Sequence, residues 1–189
     1  MRNSKDSLTE NIIITKSYLI ETFIFIINEI QNYYSSLSQI IPTIFDIKNF
    51  TQKEENNVNI STIYSSNDEN EDCIEESSTL DDYVYFWIEK LGFNENLLIL
   101  TMMNIDKILS KKFILNQNNV KNVIFTSMVI TQKYYEDNIF KDKDYSKILG
   151  IDTNDLIEME IEFLSLIDFS LYISEEEFNK YKDNLEKYQ

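Results

Sequence analysis

Two glycines and one proline in a chain of 189 residues leave few places for tight turns. Strand-rich folds draw on both residues for hairpins and bends, whereas a helix interior is broken by either. Their near absence, beside long runs of three- and four-residue apolar periodicity, predicts an all-α protein. Hydrophobic residues make up 43% of the chain, enough to build a core. The length suits one domain of ordinary size with an extension or linker.

Composition also removes most routes to catalysis. The chain has no histidine, which excludes histidine-based acid–base work, the common nucleophilic triads and the commonest metal ligand. Its single cysteine, Cys73, stands among acids that raise a thiol's pKa, so neither a disulfide nor a reactive thiolate is expected. A reducing, intracellular setting (nucleus or cytoplasm) follows as the expectation. The net charge of -16 disfavours phosphate backbones and anionic membranes, so nucleic acid and membrane are not expected partners. The apolar run Ile12–Ile30 is interrupted by Lys16, Glu21, Asn28 and Glu29 and reads as an amphipathic helix rather than a span. Too few glycines exist for a phosphate loop. Asp142-Lys-Asp144 and Asp152-Thr-Asn154-Asp155 lack the glycine and oxygen pattern of a calcium loop and read as loop and cap residues. No cofactor, metal or enzymatic activity is expected.

Taken in order, Ser7-Leu-Thr-Glu10 has the form of a capping box, and Ile12, Leu19, Phe23, Ile26, Ile27, Ile30 and Tyr34 form one helical stripe that Pro42 must end. Residues 1–50 thus read as an N-terminal helical extension. Residues 51–77 read as an acidic, Asn- and Ser-rich linker in which Lys53 is the only base. Helices then follow closely from 78 to 189. Ser78 or Thr79 caps one bearing Tyr83, Val84, Trp87, Ile88 and Leu91, closed by Gly92. Asn94 caps the next, with Leu97, Leu98, Met102, Ile105, Ile108 and Leu109. Asn118 or Asn119 caps a third that is apolar almost all round, hence central. A short polar crossing leads to a helix starting at Asp152 or Thr153, with Leu156, Met159, Phe163, Leu164 and Ile167. Ser174-Glu-Glu-Glu177 boxes the last helix, with Phe178, Tyr181 and Leu185.

Lys133 stands out near the end of the most apolar helix, where an ammonium is costly without oxygen partners. Glu160 occupies a similar place among Met159, Ile161 and Phe163. Glu136 and Asp137 could satisfy Lys133 at helical spacing. On spacing alone, a plain surface or intrahelical salt bridge is favoured over a binding pair.

Motif order carries more. The succession I-D-K-I-L (Ile105–Leu109), Q-K-Y-Y-E-D (Gln132–Asp137), D-Y-S-K-I-L-G-I (Asp144–Ile151) and M-E-I-E-F-L-S-L-I-D-F-S-L (Met159–Leu171) resembles a cyclin box. Its form is most similar to the P-type, phosphate-signalling cyclins and their U-type plant relatives, over roughly 77–181. The resemblance implies a single five-helix cyclin box, here with an added N-terminal amphipathic helix and a C-terminal helix. It also implies a regulatory subunit that binds and activates a cyclin-dependent protein kinase by docking on its mobile helix. Lys133 and Glu160 match the pair that hydrogen-bonds the kinase, and Ile130, Tyr134, Leu164, Phe169 and Leu171 match the apolar pocket beside it. The other readings are a helical scaffold without a kinase partner and a transcription-factor-like cyclin-fold protein. One departure is structural. The family's first-helix arginine is Phe86 here, so Asp106 loses its usual partner and is expected to meet Lys107, Lys111, solvent or a backbone donor.

Overall fold

The computed structural model describes residues 18–29 and 79–187. The Ser7–Glu10 box, Pro42, the 51–77 linker and Cys73 lie outside the described residues. Seven helices form the described part, and no strand occurs in it. They are α1 (residues 18–29), α2 (Leu80–Lys90), α3 (Glu95–Ser110), α4 (Val120–Tyr135), α5 (Asp142–Leu149), α6 (Thr153–Leu166) and α7 (Glu175–Glu186).

Local chemistry sets most of these boundaries. Thr79 and Asp82 make a reciprocal capping box at the start of α2, and Ser174 and Glu177 make another at α7. The Asn94 side chain accepts from Leu97 N at 3.0 Å to open α3, and Asp152 accepts from Asn154 N at 2.8 Å to open α6. Gly92 and Gly150 take left-handed φ values of 66° and 80° just past α2 and α5, where a side chain would be strained.

Two expectations fail here. Asn119 precedes α4 but does not cap it with its side chain. That side chain accepts from Asn116 N at 2.8 Å and donates to the Ile114 carbonyl at 2.9 Å, fixing the incoming loop instead. The expected polar crossing holds a helix of its own, α5, with Tyr145 and Leu149 buried at i and i+4.

α4 is the axis of the fold, as its apolar content predicts. Twelve of its 16 residues are buried, and it packs on α2, α3 and α6. Trp87 of α2 meets Phe125 of α4 edge-on, with ring centroids 5.1 Å apart. The burial extends to polar residues, which cross-link the helices. Ser127 Oγ donates to the Thr101 carbonyl at 3.2 Å, and Asn104 Nδ2 donates to Thr131 Oγ1 at 3.1 Å. α1 joins the same core through Leu19, Ile20, Phe23, Ile24 and Ile27. Its Phe23, Ile26 and Ile27 line a narrow gap with Met102, Ile105 and Asp106 of α3 and Tyr181 of α7. Each fully buried Leu, Ile or Phe contributes about 1.5–3 kcal/mol, so this shared core is what holds α4 and α6 in fixed relation. Among the described residues, no helix is long and apolar enough to cross a membrane.

Candidate functional site

Lys133 sits in the last turn of α4, after the buried residues Ile130, Thr131 and Gln132. A lysine stem leaving such a helix runs over apolar surface, and its ammonium must find oxygens at the edge. It finds three. Nζ donates to Glu160 Oε1 at 2.7 Å, to Glu160 Oε2 at 2.8 Å and to Asp142 Oδ1 at 2.6 Å. Glu160 comes from the middle of α6 and Asp142 is the first residue of α5. Three helices thus converge on one cation.

The pairing that spacing favoured is replaced. Helical side chains point back toward the N-terminus, so a last-turn lysine faces away from residues beyond the helix end. Glu136 is already extended, at φ -113° and ψ 141°, and its carboxylate accepts from Asn94 Nδ2 at 3.5 Å. The Lys133 ion pair joins separate helices rather than turns of one.

Burial differs across the cluster. Side-chain exposure is 14% for Glu160, 23% for Lys133 and 45% for Asp142. Burial pushes the Glu160 carboxyl above the ordinary carboxylate range, against the opposing hydrogen bond and charge of Lys133, and Asp142 adds to the rise. Beneath the ammonium lies Tyr145, fully buried, with its ring centroid 5.5 Å from Lys133 Nζ. Its hydroxyl donates to Gln132 Oε1 at 2.9 Å, while Gln132 Nε2 donates to the Leu91 carbonyl at 2.8 Å. This buried chain fixes the end of α4 against the α2–α3 junction. Asp142 was read from the sequence only as a loop or cap residue, and Gln132 and Tyr145 only as parts of longer motifs, none of them with a role beside Lys133. Their roles depend on α5 folding back under α4, which no local pattern announces.

The five apolar residues grouped with the pair divide by depth. Ile130 belongs to the core at 3% exposure, and Leu164 and Leu171 are half-buried against it. Tyr134 and Phe169 are exposed, at 49% and 67%. Ile157 and Ile161 of α6, one helical turn apart, are exposed as well, and so is Tyr172. The end of α4 is tied to the segment after α6 by Tyr135, whose hydroxyl donates to the Leu171 carbonyl at 3.0 Å. Phe169 takes a left-handed φ of 55°, next to Asp168 at 53°. Such a conformation costs a bulky L-residue on the order of 1–3 kcal/mol. It is held by Phe169 N donating to the Leu164 carbonyl at 2.8 Å and by the Lys111–Asp168 ion pair at 2.7 Å. The turn spends this strain to hold a large aromatic outward.

Asp106, on α3, is exposed to solvent, one of the expected outcomes, but meets neither expected lysine. Lys107 Nζ donates to the Ser170 carbonyl at 2.8 Å, and Lys111 is engaged by Asp168. Instead the Tyr181 hydroxyl of α7 donates to Asp106 Oδ2 at 2.7 Å. Desolvation beside the α1 wall pushes the Asp106 carboxyl up, more than the Tyr181 hydrogen bond lowers it. Among the described residues, no group of three or more Cys, Asp or Glu side chains is placed to hold a metal ion.

A family model for the cyclin N-terminal domain matches residues 46–172, more than half of the chain. The chain belongs to the cyclin family. Its relatives include Cyclin-U2-1 of Arabidopsis thaliana, 35% identical over 75 residues, a stretch covering 40% of this chain and 34% of that one. PHO85 cyclin-7 of Saccharomyces cerevisiae is 33% identical over 76 residues, covering 40% of this chain and 27% of that one. Cyclin-U3-1 of Arabidopsis thaliana is 29% identical over 90 residues, covering 47% and 41%. The match thus spans about a third of the length of these relatives. The cyclin domain takes in Lys133, Glu160, the five apolar residues and Asp106. The all-α fold and the likeness to U-type and PHO85 cyclins both agree with the motif order read from the sequence.

Proposed function

We propose that this cyclin is the regulatory subunit of a cyclin-dependent protein kinase, docking on the kinase's mobile helix through Lys133, Glu160 and the apolar residues around them. The observation that carries the reading is the interhelical Lys133–Glu160 pair, partly buried, with an exposed apolar residue next to each member in sequence, Tyr134 and Ile161. A buried pair of this kind does little for stability that apolar residues could not do. Rimmed by exposed aromatic and branched side chains, it can recognise both an inserted side chain and the backbone groups at a helix end. The yeast relatives named as PHO85 cyclins support a kinase of that class as the partner.

The mechanism is a population shift with no chemistry in this chain. The lone kinase holds its regulatory helix outward; the cyclin binds the inward state more tightly. A switch from one to ninety-nine per cent active requires about 5.5 kcal/mol of differential affinity. An interface of about 1,600 Å² with a few anchoring residues supplies that range. The inward helix completes the lysine–glutamate pair that positions ATP in the kinase.

The test is calorimetric titration of the full chain with PHO85, together with a phosphorylation assay. The double variant Lys133→Ala, Glu160→Ala is expected to lose binding by at least about a hundredfold while keeping its helicity and melting temperature. Unchanged binding by the folded double variant sinks the site. Loss of folding in the variant assigns the pair to stability instead.

A further inference from the structure

An ammonium has three N–H donors, and all three of Lys133's are taken. Two go to Glu160 at 2.7 and 2.8 Å and one to Asp142 at 2.6 Å. A partner carbonyl can therefore reach Lys133 only by displacing one of them. The two carboxylates are not equally displaceable. Glu160 holds Lys133 through both oxygens and is 14% exposed, so releasing it strands a charge with little water around it. Asp142 holds on through one oxygen and is 45% exposed, so water can replace the lysine at once.

The place of Asp142 in the fold lowers the cost of letting go. It is the first residue of α5, whose N-cap, Lys141, contributes no side-chain hydrogen bond. Unpaired N–H groups and the positive end of the helix dipole lie beside the carboxylate whether or not it binds Lys133. Asp142 also leaves the cluster with two carboxylates against one ammonium, an arrangement that raises the Glu160 carboxyl further.

We propose that Asp142 is a built-in competitor for the docking lysine: in the free chain it occupies the donor that a partner's backbone carbonyl takes on binding, and so sets the docking affinity. The proposal rests on the docking role of Lys133 and Glu160. It gives Asp142 the opposite sign from its neighbours, since its removal strengthens binding whereas theirs abolishes it. It also defines what the partner must bring: a carbonyl acceptor, such as the free end of a helix, rather than a cation.

The experiment compares four forms of the full chain by titration with PHO85: wild type, Asp142→Asn, Asp142→Ala and Asp144→Ala. Asparagine keeps a neutral acceptor and alanine keeps none, so affinity is expected to rise in the order wild type, Asp142→Asn, Asp142→Ala, reaching about tenfold. Asp144→Ala removes the same charge from the same turn of α5 and is expected to stay within about twofold of wild type. Equal gains in Asp142→Ala and Asp144→Ala reduce the effect to net charge and overturn the proposal. Unchanged or weaker binding in Asp142→Ala overturns it too, while leaving docking intact so long as the Lys133→Ala, Glu160→Ala variant still fails to bind. If that double variant binds normally, the docking role itself is what fails. A reading without any kinase completes the set. The acetylation rate of Lys133 by acetic anhydride, followed by peptide mass spectrometry, should rise severalfold in Asp142→Ala, and an unchanged rate overturns the competition.

Discussion

Burial raises the Glu160 carboxyl more than the adjoining ammonium of Lys133 lowers it. The net result is a carboxyl that holds its proton more readily in the folded chain than in the unfolded one. It also fixes the sign of a pH effect. With its folded pKa above the unfolded one, Glu160 takes up a proton on folding inside the window between the two. Its contribution to stability is full below the ordinary carboxylate range and is lost as pH rises through the elevated folded value. Glu160→Gln removes that titration. The difference in unfolding free energy between wild type and Glu160→Gln should therefore fall as pH is raised above the reference value for glutamate and through the elevated folded value. Urea melts at closely spaced pH values would measure it. A difference that grows with pH means that Lys133 dominates, and that the pair is a structural bridge after all.

Among the helices, α7 is the one whose attachment depends most on polar contacts. Among its described side chains only Leu185 is buried, with Phe178 and Tyr181 partly buried against the core. It is fastened to α3 by Tyr181 on Asp106 at 2.7 Å and by Lys182 on Glu95 at 2.8 Å. Hydrogen bonds to a charged group contribute roughly 1.5–3 kcal/mol, against 0–1 for an exposed ion pair. Tyr181→Phe is accordingly expected to cost about 1–3 kcal/mol, and amide exchange should accelerate in α7 while α4 keeps its protection. Acceleration spread evenly over α4 and α7 would mean that α7 is not a separate unit. The same helix marks where sequence stops being informative. Its start was legible because Ser174 and Glu177 are three residues apart and cap each other. Thr79 was legible for the same reason, and Asn94 and Asp152 because a cap-forming side chain stands just before an apolar stripe. The partner of Asp106 was not, since Tyr181 is 75 positions away and a phenol carries no charge to announce itself. α5 was missed because eight residues give apolar periodicity only one repeat. Asn119 misled because its side chain serves the loop before it. At the candidate site, motif order singled out Lys133 and Glu160 together, but Asp142, Gln132 and Tyr145 enter only through the fold of α5 beneath α4.

At the scale of the whole molecule, charge and local chemistry act on docking in opposite senses, and ionic strength separates them. A net charge of -16 creates a field that extends well beyond any one contact and, if the proposed docking holds, would speed encounter with a partner face of opposite charge. That field is screened with a Debye length of about 10 Å at 0.1 M salt and about 3 Å at 1 M. The contact between Lys133 and Asp142 is 2.6 Å long, shorter than the Debye length across that range, so salt weakens it far less than it weakens the long-range field. The association rate with PHO85 is therefore expected to fall by on the order of tenfold between 0.05 and 0.5 M salt, with the dissociation rate changing much less. The affinity gain of Asp142→Ala over wild type should persist across the same range, because it comes from a freed donor and not from the field. Stopped-flow association and dissociation measured at each salt concentration test both halves. An association rate flat in salt removes steering. A gain that vanishes at 0.5 M salt makes Asp142 one more charge in the field and removes its claim on Lys133.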